Sequence, residues 1–242
     1  AEPTAPWLPW SVDFAGGDEL VWAGGAGAAP RWLLFQQQAR VKTAPEQSPR
    51  FLDTLTLPVT GTLAVAGSAA ADHLFSAVQT AGPAPGLSRV KVLRHDALAA
   101  AGGAPFTARW IHDVGMPADG APRVAASVDG TLVACAVHDT ASALLRVDIL
   151  DGRTGALLAR RDLATGMLRR IALSADGGRL ALVAGAELIV LDVQGRTVHR
   201  ETLALATHAL ALSGDGGVLL LGAGGALRVM HAGPSGSGGR AY

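Results

Sequence analysis

Three stretches of the C-terminal half repeat one pattern: RVAASVDGTLVACAV from Arg123, RRIALSADGGRLALVAG from Arg169 and HALALSGDGGVLLLGAG from His208. Each runs alternating apolar residues into Ser-x-Asp-Gly and then into a second apolar run. The serines, Ser127, Ser174 and Ser213, lie 47 and 39 residues apart. A period of about 40–50 residues marks units too small to bury an apolar face alone, which gain a core only by stacking on their neighbours.

The unit is all-β. Alternation such as Ile171 and Leu173 against Ala172 and Ser174 sends the two sets of side chains to opposite faces of a sheet. Asp-Gly supplies the positive φ angles and short polar side chain of a tight hairpin, so Asp129, Gly130, Asp176, Gly177, Asp215 and Gly216 are read as structural turn residues. A third strand follows in each unit: LLRVDIL at Leu144–Leu150, ELIVLDV at Glu187–Val193 and ALRVMHA at Ala226–Ala232. After the turns DGRTG and QGRT, two units add a fourth strand, Ala156–Leu163 and Arg196–Leu203. Four antiparallel strands per repeat is the blade of a β-propeller.

The N-terminal half carries the pattern more loosely. Trp10–Gly25 reads as strand–turn–strand about Gly16-Gly17-Asp18, with a third strand at Arg31–Gln38. Asp53–Ser68 repeats it about Thr60-Gly61, with a third strand at Ser88–Asp96. About five blades are therefore expected, within a range of four to six. Ala69–Gly86 and Ala97–Pro122, rich in Ala, Gly and Pro, are expected as long loops rather than as a degenerate sixth blade. The last unit lacks a readable fourth strand, and the N-terminal APWLPW (Ala5–Trp10) is the candidate to complete it and close the ring. The expected organisation is one propeller domain over 1–232 and a flexible tail, GPSGSGGRAY, over 233–242.

SADGGRLALVAG with LIVLDVQGR, and SVDGTLVACAV with VDILDGRTG, resemble the repeats of bacterial WD-repeat-like and YVTN-type β-propellers. The resemblance is clear over Arg123–Ala232 and weak over Ser11–Asp96. The Gly-His and Trp-Asp signatures of eukaryotic WD repeats are absent. It implies a ring about a central channel and a habit of binding other proteins. The same architecture hosts lactonases and quinoprotein dehydrogenases, so the site must decide.

Composition narrows the choice. Twenty basic and 20 acidic residues cancel, and no basic run occurs, so nucleic acid is not an expected partner. Only Lys42 and Lys91 are lysines, a skew toward arginine read as the coding bias of a bacterium. Cys135 is the sole cysteine, which excludes internal disulfides and cysteine-rich zinc sites. No apolar run reaches the roughly 18–20 residues of a membrane helix. Ala1-Glu2-Pro3 resembles the start left by signal-peptide cleavage, so a periplasmic or otherwise extracytoplasmic location is expected, with the cytoplasm as the alternative.

Four His–Asp neighbours, Asp72-His73, His95-Asp96, His112-Asp113 and His138-Asp139, suggest metal or acid–base chemistry, with His112 and His138 the pair to watch. Adjacent residues of a strand point to opposite faces, so no such pair acts together in regular β structure. The repeated aspartates lack the clustered oxygens of a calcium loop. Gly24–Gly27 and Gly222–Gly225 lack the Lys-Ser/Thr of a phosphate loop, and no nucleophile elbow occurs. The chain has no Asn, which weighs against a lactonase-like metal site. No catalytic residue, metal ligand or cofactor is therefore expected.

All five tryptophans lie in the first half. Trp7, Trp10 and Trp110 are candidate interface anchors, as are the cations Arg160, Arg161, Arg169 and Arg170 around DLATGML. The expected function is a non-catalytic interaction or scaffold propeller, an accessory and extrinsic subunit of a larger assembly such as a membrane-associated complex, whose partners are other protein subunits. The alternatives are a lactonase-like hydrolase, a quinoprotein-like dehydrogenase, or a small-ligand or carbohydrate binder that stacks its ligand on Trp22 and Trp110.

Overall fold

The computed structural model describes residues 8–15, 20–26, 31–36, 50–56, 63–68, 73–81, 88–96, 108–117, 120–231 and 240–241, with side chains described within 64–231. Among these residues, 20 strands form five four-stranded antiparallel sheets. Sheet 1 holds β1 (Leu8–Ala15), β2 (Leu20–Ala26), β3 (Arg31–Gln36) and β4 (Arg50–Thr56). Sheet 2 holds β5 (Leu63–Gly67), β6 (His73–Ala81), β7 (Ser88–Asp96) and β8 (Trp110–Pro117). Sheet 3 holds β9 (Arg123–Ala126), β10 (Leu132–Asp139), β11 (Leu144–Asp151) and β12 (Leu157–Ala164). Sheet 4 holds β13 (Leu168–Leu173), β14 (Arg179–Ala184), β15 (Glu187–Asp192) and β16 (Thr197–Thr202). Sheet 5 holds β17 (Thr207–Leu212), β18 (Val218–Ala223), β19 (Ala226–His231) and β20 (Arg240–Ala241).

Within each sheet the strands pair in chain order. First strands of successive sheets approach one another in the series β1, β5, β9, β13, β17, so the first strand is innermost and the fourth outermost. This is the arrangement of propeller blades about a common axis.

The core lies between blades. Strand alternation splits β10 between two of its layers: Val133, Cys135 and Val137 join Phe75, Val92 and Val114 of sheet 2. Ala134 and Ala136 turn the other way, onto Leu180, Leu182 and Ile189 of sheet 4. In the next layer Ala181, Val183, Leu188 and Val190 of sheet 4 meet Leu219, Leu221 and Met230 of sheet 5. The second strands are thus apolar on both faces, which is why β10 and β14 read as nearly continuous apolar runs.

Four expectations are corrected. Asp53–Ser68 is not the opening hairpin of a blade: Arg50–Thr56 closes sheet 1 as β4, and Leu63–Gly67 opens sheet 2 as β5. Thr60-Gly61, the expected turn, lies outside the described residues. The two expected long loops contain β6 and β8, which complete sheet 2 and leave no need for a sixth blade. A strand such as HLFSAVQT, with Leu74 through Gln79 all buried, has no alternation to mark it. Finally, of the segment expected to finish the last blade, the described residues Leu8–Trp10 lie in β1, which pairs with β2 only a few residues further along the chain. Closing so short a loop costs far less chain entropy than joining opposite ends of the sequence. The fourth strand of sheet 5 is β20, from within the segment read as a tail.

Candidate functional site

Antiparallel pairing gives the molecule two rims. The turn rim carries the Ser-x-Asp-Gly hairpins and the third-to-fourth-strand turns. The linker rim carries the connections between sheets and the hairpins between second and third strands.

The turn rim spends its polar groups on itself. The Ser174 hydroxyl donates to Asp176 Oδ1 at 2.7 Å and accepts from the Arg179 N–H at 2.9 Å, while the Gly178 N–H donates to the same carboxylate at 2.8 Å. Ser127–Asp129 and Ser213–Asp215 repeat this arrangement. Hydrogen bonds from Ser174 and the Gly178 N–H hold the Asp176 carboxyl below its ordinary value. Gly130, Gly177 and Gly216 take φ of +66°, +73° and +67°, the left-handed conformation that the motif needs from glycine. Neighbouring turns are linked by Val128 N–H to Ala175 O and Asp176 N–H to Gly214 O, both at 3.0 Å.

Ionisable groups between blades act as clamps. Asp148, fully buried in the middle of β11, accepts from Arg160 Nε at 2.7 Å and Nη2 at 2.7 Å, and from His112 Nε2 at 2.9 Å. Arg160 also donates to Val114 O at 3.1 Å, so the group stitches β8 to β11 and β12. Burial and the Asp148 charge push the Cys135 thiol up, making it a packing residue. Glu187 is held bidentately by Arg200 at 2.9 Å and receives the Thr165 hydroxyl at 2.8 Å, joining sheet 4 to the linker from sheet 3. Arg228 reaches from sheet 5 to Glu201 of sheet 4.

The linker rim is different. Its backbone is fixed: Thr165 N–H donates to Ala143 O at 3.3 Å, Gly185 N–H to Met167 O at 2.8 Å, and Leu203 N–H to Ala186 O at 2.7 Å. On this frame two successive linkers each hold out one large apolar side chain, Met167 at 60% and Leu205 at 58% exposure. Just beyond each, the inner strand bulges: the register slips between Leu168 and Arg170 in β13 and between Thr207 and Ala209 in β17. The extra residues, Arg169 and His208, are both exposed. A bulge re-aims a side chain and interrupts pairing, and such bulges gather near functional sites. Sheet 1 has a bulge at the matching place, where Trp10 is the extra residue.

Arg170 locks this corner. Its Nε donates to His208 O at 2.8 Å and its Nη1 to Arg169 O at 2.8 Å, so the guanidinium spans the two bulges. Arg123 stands at the matching place on β9, its pKa lowered first by burial and then by the charge of Arg170. The described carboxylates Asp139 and Glu187 near this rim are already engaged. Asp139 caps its own hairpin through Ala141 N–H and the Ser142 hydroxyl, and Glu187 is taken by Arg200 and Thr165.

The residues expected to act together do not. Arg160 and Arg161 lie on the outermost strand of sheet 3, Arg169 and Arg170 on the innermost strand of sheet 4. Arg160 is committed to Asp148, and Arg161 is exposed. Trp110 is half-buried between sheets 2 and 3, its Nε1 donating to Gly152 O at 3.1 Å and its ring 6.0 Å from Phe75, so it packs rather than offers a stacking face. Trp7 lies outside the described residues, and of Trp10 and Trp22 only the backbone is described. His112 turns to Asp148, not to its neighbour Asp113, whose carboxylate accepts from the Gly115 N–H at 2.8 Å. His138 is buried, with Nε2 3.4 Å from Thr165 O. No group of three metal-ligating side chains occurs among the described residues. Sequence reasoning passed over Asp148, for which the signal was an acid inside the apolar run LLRVDIL. It also passed over Met167, inside the connection DLATGML, and Leu205.

No protein-family model and no curated protein sequence matches the chain. Solved structures do resemble it. The β-propeller domain of Cps50 (Swd1) from Myceliophteria thermophila superposes with a TM-score of 0.62 at 14% identity, over 93% of this chain and 67% of that one. A chain of the mitotic checkpoint complex superposes with a TM-score of 0.62 at 14% identity, over 98% of this chain and 64% of that one. The chain thus spans about two-thirds of the length of the propellers it matches. At this identity the likeness establishes the fold alone, a β-propeller.

Proposed function

We propose that this chain is a non-catalytic interaction propeller, an accessory subunit that holds a partner protein on its linker rim. The observation that carries the reading is the pair Met167 and Leu205, large apolar side chains more than half exposed on successive linkers of a hydrogen-bonded frame. A rigid scaffold that presents apolar side chains in a row loses little entropy when a partner covers them. Supporting it, the described carboxylates with shifted pKa values owe those shifts to clamps and turn caps rather than to a shared cleft. The similar structures include a subunit of a multiprotein assembly, the mitotic checkpoint complex.

The test is purification from the native source under mild conditions, with mass spectrometry and a metal assay on the same sample. The wild-type chain is expected to carry a stoichiometric protein partner, and the double variant Met167→Asp, Leu205→Asp to lose it while keeping its thermal midpoint. A partner retained by the double variant would place the interface elsewhere and overturn the rim assignment. A lone chain with a stoichiometric metal or organic cofactor would overturn the non-catalytic reading.

A further inference from the structure

Resting on that reading of the rim, the geometry points to the chemistry of the partner segment: we infer that the corner formed by Arg169, Arg170 and His208 binds an acidic peptide strand whose carboxylates face the inner strands and whose apolar residues cover Met167 and Leu205.

Three observations converge. First, cationic or ionisable nitrogen side chains fill the extra position of both bulges, Arg169 and His208, where a bulge turns a side chain out of the blade's own packing. Second, Arg170 is preorganised. Two of its donors are fixed by the carbonyls of the bulge residues themselves, which holds the guanidinium plane across sheets 4 and 5. A guanidinium held in place and still carrying a free Nη edge accepts a carboxylate with little further loss of rotamer freedom. Third, the described carboxylates do not balance the charge of Arg169 and Arg170. Among the described residues neither Arg169 nor Arg170 forms an ion pair, while the neighbouring Glu187 and Glu201 are consumed by Arg200 and Arg228.

The outward neighbours select a peptide over a small anion. Each bulge follows a linker whose tip is apolar, Met167 before Arg169 and Leu205 before His208. A ligand that satisfies both rows must alternate carboxylate and apolar side chains, as an extended peptide strand does with its period of two. This assignment differs from the cationic cluster suggested by sequence proximity. Arg160 and Arg161 belong to an outer strand and take no part.

The experiment is fluorescence anisotropy with a fluorescein-labelled peptide of alternating glutamate and leucine, its glutamine–leucine counterpart, and inorganic phosphate as competitor. The acidic peptide is expected to bind the wild-type chain and the neutral one to bind at least about tenfold more weakly, with affinity falling as salt rises. Arg169→Glu is expected to weaken binding about tenfold or more, Arg170→Gln similarly, and Arg161→Glu on the outer strand to leave it unchanged. Thermal melts confirm folding. If Arg170→Gln does not fold, Arg169→Glu, on an exposed side chain, decides alone. Equal binding of both peptides, an equal loss in Arg161→Glu, or full competition by millimolar phosphate would overturn the inference. A native partner lost on substituting Met167 and Leu205 but unaffected by Arg169→Glu would overturn it while leaving the interaction reading intact.

Discussion

Sheets 4 and 5 carry the same pattern and meet opposite fates. The Ser-x-Asp-Gly turns align Ala181, Val183, Leu188 and Val190 of sheet 4 with Leu220, Gly222, Leu227 and Val229 of sheet 5. The first set is buried against sheet 5, each residue at 1% exposure or less. Leu220 and Leu227 are 37% and 47% exposed. Burial at these positions is a property of the neighbouring sheet. The apolar alternation stabilises where a neighbouring sheet stacks upon it, as sheet 5 does on sheet 4.

The comparison breaks most sharply at the buried charge. Asp148 anchors sheet 3 to sheet 2 from a fully buried position, whereas Arg228–Glu201 ties sheet 5 to sheet 4 from a partly exposed one. Asp148→Ala strands Arg160 and His112 and is expected to cost about 3–5 kcal/mol in urea unfolding. Glu201→Ala is expected to cost no more than about 1 kcal/mol. Equal costs would mean that the last blade is held as firmly as the third.

Matched truncations come next. Leu188→Ala empties a fully packed site and is expected to cost about 2–5 kcal/mol. Leu227→Ala, at the same register, is expected to cost less than about 1 kcal/mol, since half of its surface is already in water. A large loss at Leu227 would reveal that this face is covered in solution.

Acid titration sharpens the contrast further. Burial pushes the Asp192 carboxyl up, but hydrogen bonds from the Arg196 N–H and guanidinium outweigh it, and the folded value lies below the ordinary one. Its contribution is therefore complete above the unfolded carboxylate value of about 3.9 and is lost as pH falls through the lower folded value. His231 occupies the matching place in sheet 5, which has no such carboxylate. The stability difference between wild type and Asp192→Asn is expected to shrink as pH falls below the folded value, where both states are protonated. A difference that persisted there would assign the role of Asp192 to packing.

The smallest expected effect is dynamic. Amide exchange by mass spectrometry is expected to protect β14 and β15 near the global limit and β18 and β19 measurably less, because local opening exposes fewer buried contacts in the last blade. Uniform protection would argue that the five sheets unfold as one unit.

The sequence by itself determined the unit. Ser-x-Asp-Gly carries its own geometry, since the serine, the aspartate and a left-handed glycine satisfy one another within six residues whatever lies outside. The repeat of apolar alternation around that turn was enough to name the blade, its four strands and the all-β class. Sheet 2 escaped because β6, buried on both faces, has no alternation, and because its first turn lacks the motif. What a residue does between blades was decided by tertiary structure alone. Arg160 and Arg169 lie within nine residues of each other in the chain, yet one is locked to Asp148 on an outer strand and the other stands on an inner bulge. Met167 and Leu205, unremarked in the sequence, stand out on a rim. Local hydrogen-bond and turn preferences act over a few residues and are written there. The exposure and company of a side chain depend on which sheet arrives from elsewhere in the chain, and no short segment encodes that.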